Sequence, residues 1–195
     1  DSAQVTAQTE DRNQWQVQVA GRSRRFLKNE KAQTRQRFVG QIPTLLFCPE
    51  YLSILTGPKS PRVAFFDRFL VQCDPHYREA LLRAQKAHKQ KTALLRSIRA
   101  QERPVDEASA LLLPWNQILA ETMPVITATR TGILGDLRPL LQEALDHMAP
   151  NSEPFEIILL PSESVEMTPV SIMEWFSAHE SMEIGAGKNF IAPQR

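Results

Sequence analysis

With 195 residues, 42% of them hydrophobic, the chain is long enough for one domain or one and a half around a proper core. No apolar run approaches the ~18 residues of a membrane span, and no signal peptide is visible. The net charge of +1 conceals a segregation. Residues 21–99 hold 17 Lys/Arg against 5 Asp/Glu, whereas residues 100–195 hold 5 against 14. A basic half joined to an acidic one favours an anionic partner, nucleic acid first, with internal complementarity between two lobes as the alternative.

Residues 3–47 are expected to be β-rich. Gln14–Ala20 alternates, with Trp15, Val17 and Val19 on one face and glutamines on the other, as a half-buried strand requires. Gly21 ends it. Arg24–Lys28 and Lys31–Gln33 flank an Asn29-Glu30 hairpin turn, and Thr44–Phe47 has the short apolar character of a buried strand. From Pro58 the pattern turns helical. A helix over 61–72 ends near Asp74-Pro75, where Asp74 is placed to cap the next, at about 75–101. In that helix Tyr77, Ala84, Lys91 and Ile98 form one heptad seam and Leu81, His88 and Leu95 another, weakened by His88 and Lys91.

Residues 102–107 form a break. A second helical stretch, 107–148, contains Pro114, Pro124 and Pro139, so it is expected to be kinked or divided. Heptad spacing resumes through Leu134, Leu137, Leu141, Ala144 and Met148, and two antiparallel helices in a hairpin arm account for the pattern. After Pro150 the expectation is β again: a strand at Phe155–Leu160, a helix at Met173–Met182 and a short strand at Asn189–Ala192.

Few motifs carry chemistry. Gly185-Ala186-Gly187-Lys188 lacks the first glycine and the Ser/Thr of a phosphate-binding P-loop, and reads as a turn. His76, His88, His147 and His179 are scattered without metal-ligand spacing, and no G-x-S-x-G occurs. Cys48 and Cys73 lack a C-x-x-C context, which fits a reducing cytoplasm. The run Arg22, Arg24, Arg25, Lys28, Lys31, Arg35 and Arg37 contains one acid, Glu30. It is a candidate phosphate-contacting patch or a strand edge kept soluble by charge. Arg83, Lys86, Lys89, Lys91, Arg96 and Arg99 either extend that patch or form the outer face of the arm.

Four segments, in order and spacing, resemble the RecF family of bacterial recombination-repair ATPases. Residues 43–67, PTLLFCPEYLSILTGPKSPRVAFFD, are similar to its P-E-(x)n-L-x-x-G-P-x-x-R-R-x-F-L-D. Val63 stands for the second Arg, Phe66 for the Leu, and one extra residue precedes Arg62. Lys89–Leu95 resembles K-Q-R-N-x-L-L with Thr92 for Asn, and Pro114–Leu119 resembles a W-[DN]-x-x-L segment. Ala192-Pro193-Gln194-Arg195 is similar to G-P-H-R, with Ala192 and Gln194 departing from it.

The resemblance implies an α+β fold: part of an ABC-type, SMC-like ATPase head interrupted by a helical lobe with an antiparallel hairpin arm. The implied division is 1–57 head, 58–150 helical lobe and 151–195 return to the head. An intact protein of this kind is expected to bind ATP and Mg²⁺, and to dimerise around nucleotide. It would engage DNA at single-strand gaps and load a recombinase with RecR-type and RecO-type partners. P-loop, signature and acidic motifs do not occur in residues 1–195, so the chain reads as a piece of a longer protein, inactive alone and binding no cofactor alone. Arg22, Arg24, Arg25, Lys59 and Arg62 are the candidate DNA contacts. The alternative is a non-catalytic helical interaction module on a head-like scaffold.

Overall fold

The computed structural model describes residues 2–46, 48–102, 104–150, 153–154, 156–159 and 165–193; the side chains of Gln36, Glu50, Ser53 and Lys59 lie outside that description. Four strands, β1 (Ser2–Gln8), β2 (Gln14–Ala20), β3 (Ser23–Lys28) and β4 (Lys31–Gln33), form an antiparallel sheet in chain order. The register sets Val5 opposite Val17 and Val17 opposite Phe26, so the apolar alternation of β2 continues across three strands on one face. Short helix α1 (Arg35–Phe38) covers part of that face, with Phe38 against Trp15 and Phe26 at ring separations of 5.8 and 5.1 Å.

The β3–β4 turn places both Asn29 and Glu30 at positive φ, the conformation of a tight turn matched to strand twist. Asn29 tolerates it and ties the turn to β2 by accepting from the Gln14 N–H at 2.7 Å.

A 3-10 helix (Pro49–Leu52) and α2 (Ser53–Thr56) lead into α3 (Lys59–Cys73). Helix α4 (Pro75–Arg99) starts where expected: the Asp74 carboxylate accepts from the N–H groups of His76 and Tyr77, with Pro75 in the first turn. Helix α5 (Ala108–Met148) returns along it as one helix, not two. Pro114 and Pro124 cost about 3 kcal/mol each in a helix interior. Burial of Leu112, Leu119, Met123 and Ile126 against α4 and its neighbours, about 1.5–3 kcal/mol apiece, offsets that. Packing carries the helix through these two prolines; Pro139 lies beyond its last buried position.

The heptads expected beyond residue 133 do not form a seam. The buried positions of α5 end at Arg130, and Met148 is 78% exposed. Helix α5 has 41 residues and α4 has 25, so the far end of α5 outruns its partner. Helix α6 (Pro169–Ala186) lies across the hairpin and seats Ile172 and Phe176 in a core with Tyr77, Leu81, Met123 and Ile126.

Three expected strands are absent among the described residues. At Thr44–Phe47, of which Phe47 lies outside the described residues, Thr44 bonds instead to the Gln72 side chain, donating at 2.8 Å and accepting at 3.2 Å. Leu45 and Leu46 face an open trough and are exposed. Of Phe155–Leu160, the described residues 156–159 are irregular and lie along a groove with Ile54, Leu55 and Phe66; Phe155 and Leu160 are outside the description. Asn189–Ala192 is also irregular, because Ile191 and Ala192 are buried in the helical core rather than paired in a sheet.

Because Glu30 has a Cβ at φ +65°, Glu30→Gly is expected to raise stability by about 0.5–1 kcal/mol, read from the shift in urea midpoint.

Candidate functional site

Arg130 is a lone cation in the largely uncharged middle of α5, and it is buried. Its guanidinium reaches three other segments. Nε and Nη2 donate to Asp67 Oδ1 of α3 at 3.1 and 2.8 Å, and Nη2 donates to Oδ2 at 3.0 Å. Nε also donates to the Tyr77 hydroxyl of α4 at 3.0 Å, and Nη2 to the Pro193 carbonyl at 2.6 Å. The Tyr77 hydroxyl donates to Asp67 Oδ1 at 2.6 Å. Burial, reinforced by this bond to the carboxylate, pushes the phenol well above its ordinary range. Asp67 ends the first family-like segment and Pro193 belongs to the last, so residues 126 apart in sequence meet on one guanidinium.

A second buried pair lies further along the hairpin. Lys91 Nζ sits 2.6 Å from Glu183 Oε2, both side chains almost wholly excluded from solvent. The approach lacks hydrogen-bond angles and is a contact of charges, with Nζ 3.4 Å above the Phe176 ring. Glu183 Oε1 accepts from the Phe190 N–H at 3.0 Å, and Asn189 Nδ2 lies 3.0 Å from His88 Nδ1. Burial lowers the Lys91 ammonium to about 8, with the Glu183 charge opposing the shift.

The candidate DNA contacts fall on separate surfaces. Arg22 lies in the β2–β3 turn; Arg24 and Arg25, adjacent in β3, point to opposite sheet faces, Arg24 opposite Val19 and Arg25 opposite Gln18. All three are exposed. Arg62 is on the first turns of α3, with Nη1 3.5 Å from the Ile54 carbonyl. Lys59 opens the same helix, and its side chain is outside the description.

Ion pairing leaves the basic half largely unneutralised. Among the described residues only two of its cations, Arg83 (to Glu121, 2.7 Å) and Lys91, pair with acids of the other half. The remaining pairs use cations of the acidic half, Arg130 and Arg138. Sequence reasoning missed Arg130 and treated Lys91 as a defect in the seam. The available signals were an isolated Arg in a helix otherwise without charge for several residues, and a Lys at a core heptad position.

No helix among the described residues is long and apolar enough to cross a membrane. No family model matches the chain. It is 28% identical over 163 residues to the DNA replication and repair protein RecF of Chloroflexus aurantiacus, covering 80% of this chain and 42% of that one. It is 28% identical over 171 residues to the protein of the same name from Gloeothece citriformis, covering 82% and 44%. For that of Streptomyces avermitilis the figures are 27% over 183 residues, covering 90% and 49%. Two solved structures of the recombination mediator protein RecF, described as RecF-ATP and RecF-ATPrS, match at TM-scores of 0.84 and 0.82. Sequence identity there is 19 and 20%, and each match covers nearly all of this chain and about half of the other.

The fold is therefore α+β, a four-stranded antiparallel sheet joined to a helical hairpin lobe, and it is shared with those RecF structures over nearly all of this chain. In sequence the chain is similar to RecF proteins over most of its own length, which supports a RecF-family fragment, and it spans about half the length of the curated relatives it matches.

Two outcomes follow from the buried pairs. Removing one partner of such a pair leaves an uncompensated charge, so Arg130→Met is expected to cost about 3–5 kcal/mol in urea unfolding. Arg130→Lys should restore only part of it, since an ammonium cannot fork across Asp67, Tyr77 and Pro193. Lys91→Met should cost a similar amount, and adding Glu183→Gln should recover most of it while keeping an acceptor for Phe190.

The folded ammonium of Lys91 titrates near 8 and the unfolded one near 10.5, so the unfolded chain holds that proton more tightly. Lys91's contribution to stability therefore rises as pH climbs through that window. Above pH 10 the raised Tyr77 phenol acts oppositely, because the unfolded chain ionises first. Unfolding from pH 7 to 10 should show the rise in the native chain and its loss in the Lys91→Met/Glu183→Gln variant.

Proposed function

We propose that the chain is the central part of a RecF-like recombination mediator acting in DNA repair, recombination and replication in the cytoplasm. Residues 1–57 would belong to the ATP-binding head, residues 58–150 to the helical lobe and residues 151–195 to the return to the head, with α6 packed against the lobe on the way. In the intact protein ATP with Mg²⁺ would close two heads into a dimer, coupling nucleotide binding to assembly. The dimer would engage DNA at single-strand/double-strand junctions and, with RecR-type and RecO-type proteins, load the recombinase. Supporting this are the RecF relatives over most of the chain and the RecF–ATP structures that share its fold.

The observation that carries the DNA part is the unneutralised basic half. Arginines and lysines without acidic partners are what a phosphate backbone draws on, and they make binding salt-dependent. Arg22, Arg24, Arg25, Lys59 and Arg62 are proposed as contacts. Charge reversal at these positions should weaken binding of duplex DNA at low salt and flatten its salt dependence; unchanged binding would remove the assignment. The chain itself is expected to turn over no ATP, and measurable phosphate release by the purified chain would contradict that.

One observation favours the interaction-module reading. An apolar trough of about 670 Å³ runs between the sheet and α3, lined by Val5, Leu45, Leu46, Phe65 and Phe69. If DNA binding proves weak and indifferent to salt, this surface becomes the functional one.

A further inference from the structure

Helix α6 stops at Gly187, whose φ of +62° lets the Gly187 N–H reach the Ile184 carbonyl at 3.0 Å and the Lys188 N–H reach that of Glu183 at 3.2 Å. Gly185-Ala186-Gly187-Lys188 is thus a helix stop, and it delivers Lys188 to the end of α4. There Arg96 and Arg99 stand one turn apart, and Arg99 Nη1 donates to the Ala186 carbonyl at 3.2 Å. A Cβ at Gly187 would lie 3.2 Å from Arg99 Cδ and 3.6 Å from Arg96 Cγ, so the glycine lets both arginine stems pass. The three side chains border a shallow depression of about 430 Å³ beside the closed end of the α4–α5 hairpin.

Basic residues gather at helix C-termini simply to offset the helix dipole, and here two such ends meet. Each end carries about −0.5 of an elementary charge, so together they offset about one of the three cations. The other two charges have no acidic partner among the described residues, and all three side chains are exposed. Two guanidiniums and an ammonium around a concave floor match tetrahedral oxyanions, which Arg binds through its fork and Lys as a point charge.

We infer that Arg96, Arg99 and Lys188 form a second phosphate-contacting corner, at the hairpin tip, for the backbone of nucleic acid. It rests on the DNA-binding reading above and adds a contact surface distinct from the sheet and α3 residues. The corner positions a strand and reads no base.

The test is fluorescence anisotropy with a short labelled duplex across a potassium chloride series, using the full 195-residue chain. Neutralising the corner in Arg96→Gln/Arg99→Gln/Lys188→Gln should reduce the slope of log K against log salt by about 2–3, and Arg96→Gln alone by about 1. Unaltered urea midpoints would show that both variants fold. A slope equal to that of the native chain would overturn the corner while leaving the DNA reading intact. If the native chain binds no duplex at low salt but the fold is sound, both fall together. A slope lowered equally by Arg22→Gln/Arg24→Gln/Arg25→Gln supports two surfaces acting on one backbone.

Discussion

A buried guanidinium cannot be left alone, and Arg130 satisfies its own by requiring three other segments to be in place at once. Helix α3 supplies the Asp67 carboxylate, α4 the Tyr77 hydroxyl and the returning chain the Pro193 carbonyl. Each is near enough to bond, and the guanidinium they satisfy is itself buried. A pair of this kind adds little net stability over an apolar substitute, because desolvation consumes most of the attraction. What it adds is exclusion of arrangements in which one of the four is misplaced. The first and last of the family-like segments are tied here through Asp67 and Pro193, which gives their spacing a physical meaning.

The Lys91–Glu183 pair does the same further along the hairpin, fixing α6 to α4. With Tyr77 at the start of α4 and Lys91 in its last third, one helix is pinned at two points to elements that come late in the chain. The long α5 fills the space between mainly by apolar burial, with an exposed Arg83–Glu121 pair tying it to α4. Beyond Arg130 it has, among the described residues, no buried pair and no seam, only the exposed Arg138–Glu156 pair, and its side chains are half-buried or exposed.

Much of the fold was legible locally. Strand β2 was recoverable because Trp15, Val17 and Val19 alternate and Gly21 follows; α4 because Asp74-Pro75 is a self-contained start signal. The failures share one cause. Thr44–Phe47, Phe155–Leu160 and Asn189–Ala192 are short apolar runs, and whether such a run becomes a strand depends on a partner that its own residues do not specify. Ile191 is apolar because it fills a helical core, and the sequence around it looks the same either way. Continuity of α5 was hidden for the opposite reason, since proline's local cost is visible in sequence and the burial that offsets it is not.

The site was less legible than the fold, and charge shows why. Arg24 and Arg25 are neighbours in sequence, yet strand geometry sends them to opposite faces, so a run of basic residues overstated a single patch. Lys188 belongs to the acidic half by position and to the basic surface by folding, because Gly187 turns it beside Arg96 and Arg99. Lys91, by contrast, belongs to the basic run and contributes nothing to the surface, its charge being spent on Glu183 in the core. A field able to hold a polyanion depends on which cations stay outside and unpaired, not on how many the chain carries. By that measure, on the DNA-binding reading proposed above, the exposed arginines of the sheet turn and the hairpin tip would set where a phosphate backbone lies. Both are ends of elements rather than grooves lined with base-reading groups, so affinity should depend on backbone geometry and salt far more than on sequence.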